Sequence, residues 1–222
     1  MSRILLSLSL ATVLCSCGVS GKQKFPSSAK DYALADAMHY DHAIIDALRE
    51  TVPGNINRLK ATTDEAIDNT KLGDALQFEY EVNPENAAYY EQLRSSLKKQ
   101  GYLLFKSEEN FGTTPDKFAV LKSKDQFDIV KFRATTGANY NISNDSIRLK
   151  LHEWYTEQPF EITGADADWV EVHLLKITHP TAQSFAKEVS AFCPDLIEQG
   201  AETVENLAAE MMQTKRLFLW WD

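Results

Sequence analysis

From Asp41 onward the chain alternates between two spacings of apolar residues. Ile44, Leu48 and Val52 recur at every fourth position and predict one face of a helix. A second helix is expected after Asn83-Pro84, with Tyr89, Leu93 and Leu97 on its apolar side. It should stop at Lys98-Lys99-Gln100-Gly101, where cations suit the helix dipole and glycine suits the left-handed cap. The runs 102–105, 117–122 and 126–132 read as strands. Residues 146–158 return to helical spacing through Ile147, Leu151, Trp154 and Tyr155. Strands are expected again at 160–163 and 169–175, the latter setting Val170, Val172 and Leu174 against Glu171 and His173. Phe185, Val189 and Phe192 mark a further helix, and Val204, Leu207, Ala208 and Met211 the last. The run 216–221 closes the chain as a strand.

This order predicts an α+β fold: a largely antiparallel sheet with helices on one face. A helix–strand–turn–strand unit repeats around 43–82, 87–122 and 146–176. From 126 onward the order approaches β-α-β-β-α-β, a ferredoxin-like arrangement with an extra helix before the last strand. The expected organisation is one domain over 41–222, with a C-terminal core from about 125 to 222.

The first forty residues do not follow these periods. Arg3 precedes the apolar run Ile4–Leu14, which has the length of a secretory leader and is short for a membrane span. The run ends in Leu14-Cys15-Ser16-Cys17, which resembles a bacterial lipoprotein box. The resemblance implies a signal peptide over 1–16, cleavage after Ser16, a palmitate-type anchor on Cys17, and a flexible tether from 17 to 40. Gly18, where an acidic residue would retain the protein at the inner membrane, implies the outer membrane, facing the periplasm. A metal clip or redox couple at Cys15 and Cys17 is disfavoured, because no His, Asp or Glu occurs before Asp31. Cys193 is then the remaining thiol, and no internal disulfide is expected.

Charge narrows the partners. The chain carries 23 basic and 32 acidic residues, a net of −9. Loss of residues 1–16 removes Arg3 alone, leaving 22 against 32, a net of −10. An acidic chain without a basic run is a poor match for nucleic acid. His39 and His42 stand three apart without a third ligand, and "GADAD" at 164–168 lacks the spacing of a calcium loop, so neither a metal nor a cofactor is expected.

The C-terminal third carries the most specific pattern: Cys193-Pro194-Asp195, Gln199-Gly200, Leu207-Ala208 and Trp220-Trp221-Asp222. It resembles the bacterial domain-of-unknown-function family numbered 4253. The resemblance implies an α+β fold and supplies no activity. Six residues are candidates for a ligand or partner site: Asn139, Asp195, Gln199, Trp220, Trp221 and Asp222. Each has a structural reading beside the functional one. Asn139 can hold a turn or present an amide. Cys193 and Asp195 can end a helix and cap the next turn, or pair as nucleophile and acid. Gln199 and Gly200 can open the last helix, with Gly200 at positive φ, or offer N–H groups to an anion. The paired tryptophans point to opposite faces of a strand, one into the core. Asp222 adds carboxylates at the end of that strand.

The favoured function is a lipid-anchored, non-catalytic module binding a protein or small molecule, an immunity-type protein against a toxin being one form. The alternative is a hydrolase using Asp195, Asp222 and a histidine.

Overall fold

The computed structural model describes residues 25–63 and 71–221. The leader, Cys17 and Asp222 lie outside them. A side chain can fill the free N–H groups of a helix's first turn. In α1 (Ala29–Ala37) Ser28 and Asp31 form a reciprocal capping box. Asp31 also meets Arg49, at the end of α2 (His42–Arg49), in a buried ion pair. Part of the expected tether is therefore folded: α1 packs on the domain, which begins before residue 41.

Seven strands form one sheet: β1 (Asn57–Leu59), β2 (Ala75–Tyr80), β3 (Tyr102–Glu108), β4 (Asp116–Lys122), β5 (Phe160–Ala165), β6 (Trp169–Leu174) and β7 (Arg216–Trp220). Their order across the sheet is β1-β2-β4-β3-β5-β6-β7. Each neighbouring pair is antiparallel except β3 and β5, which are parallel. The fold is α+β with a largely antiparallel sheet.

The helices occupy both faces, not one. On the first face, α2 and α3 (Ala87–Lys99) bury Ile44, Leu48, Leu93 and Leu97 against Leu104 and Val120. On the second face lie α4 (Asp128–Arg133), α5 (Asn144–Glu157), α6 (His179–Phe192) and α7 (Val204–Thr214), over Phe105, Leu121, Val172 and Leu219. Alternate residues of β3 and β4 enter opposite cores, so these strands are buried on both sides.

The ferredoxin-like expectation fails at its first element. Residues 128–133 form α4, because Ile129, Val130 and Phe132 bury together on helical spacing. Asp125 bonds the Phe127 amide, and Asn144 Nδ2 ties the carbonyls of Val130 and Thr135. Tertiary burial outweighs local preference in so short a segment. The second half is thus a β5-β6-β7 meander under helices.

The helix–hairpin unit does recur: α2-β1-β2, α3-β3-β4 and α5-β5-β6. The last two hairpins meet through parallel β3 and β5, so four strands run down, up, up, down. A twofold axis along the strands generates that pattern and exchanges the faces. It accounts for α3 and α5 lying on opposite sides. Each hairpin also carries a bulge, between Lys106 and Glu108 and between Ile162 and Gly164, and the two meet where Lys106 pairs with Gly164. The first-face core takes no residue from β5–β7 among the described residues. That part of the sheet is open.

Candidate functional site

A cleft of about 630 Å³ lies between α3, the β3–β4 loop and the open face of β5–β7. Besides Glu81, just after β2, three parts of the chain supply its charged groups. Tyr90, Glu91 and Arg94 come from α3. Lys106, Glu109 and Asp116 come from the β3–β4 hairpin. Thr163, Glu171, His173 and Arg216 come from the open strands. Alternation on β6 sends Val170, Val172 and Leu174 into the second core and leaves Glu171 and His173 facing the cleft.

The charges hold one another in fixed positions. Lys106 Nζ bonds Glu109 and lies 3.0 Å from Asp116. Arg94 joins Glu91 at 3.3 Å and also bonds Glu161, which Lys98 reaches at 2.6 Å. Glu171, only 6% exposed, accepts from Thr163 Oγ1 at 2.6 Å and from Arg216. Burial opposes the charge of Lys106, yet Glu109, Glu171 and Asp116 together raise its pKa above the ordinary lysine value. Burial likewise opposes ionisation of Glu161, but Lys98 and Arg94 outweigh it and hold the carboxyl below its usual range. Each of these pairs keeps part of its charge open to solvent, while Arg94 and Glu171 are themselves buried. Their concentration around an open space, with the shifted pKa values of Lys106 and Glu161, points to a site.

Tyr90 stands at the wall of the same cleft. It is 8% exposed, and its hydroxyl has no hydrogen-bond partner among the described residues. Burial first, with Glu91, Glu171 and Tyr80 adding to it, raises the phenol pKa well above 10, so the group stays neutral.

The residues singled out by sequence gather elsewhere. Asp195, 1% exposed, accepts from Tyr140 Oη at 2.6 Å and from Gln199 Nε2 at 3.0 Å. It therefore ties two segments together and does not cap the next turn with its side chain. The bond to Asp195 pushes the Tyr140 phenol up to about 12. Cys193 Sγ donates to the Trp220 carbonyl at 2.8 Å, and burial pushes its thiol up to about 12. Trp221 is buried in the second core, edge-on to Phe192, and Trp220 lies half-buried.

Two glycines receive the tryptophan rings. A Cβ at Gly137 would lie 2.9 Å from Trp221 Cγ, and one at Gly200 would lie 2.8 Å from Trp220 Cη2. Gly200 is needed for this close approach, whereas the positive φ of the π-helical turn Leu196–Ala201 falls on Glu202 just after it. Thr203 caps α7 by accepting from the Asn206 amide. Asn139 is exposed in the turn Ala138–Tyr140, next to the Asp195 corner through Tyr140 only. Asp222 and Cys17 lie outside the described residues.

Sequence reasoning missed the cleft. Its signals were present but separate: a polar face on β6, and Arg94 on a helix read from its apolar stripe. His39 and His42 do not meet, His42 bonding Asp36 instead, and no group able to hold a metal occurs among the described residues.

No curated protein matches this chain, and no solved structure does. A family model matches residues 117–222, from β4 to the C-terminus, and covers the Cys193–Trp221 corner. Over those residues the chain is similar to the family described as a domain of unknown function, DUF4253.

Proposed function

We propose that this is a lipid-anchored envelope protein, held at Cys17 and facing the periplasm from the outer membrane, whose folded part is a non-catalytic binding module. The cleft beside α3 is its binding site. One observation carries the binding reading: a set of mutually oriented charges faces an open space on the part of the sheet that adds nothing to the first-face core. The anchor reading rests on the leader and the Leu14-Cys15-Ser16-Cys17 box.

Thr114 lines the cleft and is exposed, so Thr114→Trp fills the space without breaking a described bond. A binding partner in envelope extract stabilises the wild type by mass action, by about 5 °C or more in Tm at a hundredfold excess over Kd. The Thr114→Trp variant should show little of this shift. Equal shifts in both proteins, or none in the wild type, would overturn the cleft as the site. Labelled palmitate should enter the wild type and not Cys17→Ser, and persistence in the variant would overturn the anchor.

A further inference from the structure

We infer that the cleft takes an organic cation, an ammonium or guanidinium group, seated against the Tyr90 hydroxyl. This rests on the reading of the cleft as a binding site and adds the class of its ligand. Five carboxylates line the space, those of Glu81, Glu91, Glu109, Asp116 and Glu171. Three fixed cations face them, Arg94, Lys106 and Arg216. The cations are already engaged: Arg94 by Glu91 and Glu161, Lys106 by Glu109 and Asp116, Arg216 by Glu171. An anionic ligand would have to displace those partners.

The carboxylates are less committed. Glu81 has no side-chain partner among the described residues. A carboxylate also offers more acceptor sites than one cation fills. The surplus of negative charge raises the local concentration of cations, within a chain that is itself acidic.

Two further observations converge on the same chemistry. Tyr80, Tyr90 and Phe118 form an aromatic wall, with Tyr90 edge-on to Phe118 at 5.3 Å and stacked on Tyr80 at 6.3 Å. Aromatic faces beside carboxylates favour ammonium and guanidinium groups over hydrated metal ions. The Tyr90 side chain is nine-tenths buried, and its hydroxyl, without a partner, can accept one N–H from such a group. The oxygen stays accessible from the cleft, so a ligand seated there can complete its hydrogen bonding. Guanidinium and ammonium groups reach an envelope protein either as free amines or as basic side chains of a polypeptide.

Calorimetry with the intact folded protein tests this. Agmatine represents the free cation, and blocked Ala-Arg-Ala tripeptide the side chain. The blocked citrulline tripeptide is its neutral match, and the blocked glutamate tripeptide its anionic one. The cationic probes should bind, more weakly as salt rises, and the other two should not. Tyr90→Phe should weaken the cation about five- to tenfold, and Glu81→Gln about two- to fivefold. Tighter binding of the tripeptide than of agmatine identifies a polypeptide source, and the reverse a free amine. Citrulline or glutamate probes binding as well as arginine would overturn the inference, as would unchanged affinity in Tyr90→Phe or no affinity for either cation. If the glutamate probe binds and Thr114→Trp blocks it, the module reading stands and the cationic ligand alone is wrong.

Discussion

The C-terminal corner and the cleft are similar in raw material and opposite in arrangement. Both gather aromatic rings, carboxylates and hydroxyls on β6–β7 and their neighbours. At the corner the groups satisfy one another: Tyr140 and Gln199 on Asp195, Cys193 on the Trp220 carbonyl, and each tryptophan ring against a glycine. In the cleft most charges are paired, yet space remains, and Glu81 and the Tyr90 hydroxyl have no partner among the described residues. The motif most easily recognised in the sequence is thus a fastening for the last strand. The chemistry with room to act is assembled from residues that no local pattern links.

Four measurements test this contrast. The largest effect is expected for Trp221→Ala, which empties a ring-sized space in the second core and should cost about 3–5 kcal/mol in urea unfolding. A loss below about 1 kcal/mol would mean the corner is not a fastening. Asp195→Ala strips a carboxylate from two donors and should cost about 1.5–3 kcal/mol, hydrogen bonds to charged groups being the stronger kind. Glu161→Gln acts through pH. The folded carboxyl lies below its unfolded value near ~4.3. Its stabilisation is therefore present above that pH and lost as pH falls through the folded value. The variant should be less stable than wild type at pH 7 by about 1 kcal/mol or less, and the two should converge in acid. Tyr90→Phe should change stability least, within about 0.5 kcal/mol, because its hydroxyl bonds nothing in the protein. A clear loss there would show that the oxygen already has a structural task.

The strands were legible where alternation met burial, as in Val170, Val172 and Leu174. The helices α2, α3, α5, α6 and α7 were legible from apolar spacing. Helix α4 was not, because six residues are too few for a period to outweigh the strand-like alternation Gln126, Phe127, Asp128, Ile129. Helices on both faces had a signal that went unused. The unbroken runs Leu103-Leu104-Phe105 and Phe118-Ala119-Val120-Leu121 are the composition of strands covered twice. The apolar stripe of α3 runs through Tyr90, Leu93 and Leu97, with Tyr89 half-buried and bonded to Glu50 at 2.6 Å. Alternation sets Glu171 against the apolar residues of β6, but only the packed sheet brings Thr163 and Arg216 to it. The cleft itself depends on the crossover from β3 to β5, which no sequence spacing encodes.

That crossover also limits how the family unit can be handled. The matched stretch opens at Lys117, inside β4, yet β4 sits between β2 and β3, and β3 separates it from β5. A fragment cut to 117–222 keeps the two flanking strands and discards the one between them. It would leave a gap of about 10 Å in the sheet, two strand spacings, and unpaired backbone on both sides. The recognisable half is therefore not a portable piece: expressed alone it should aggregate or recruit a foreign strand.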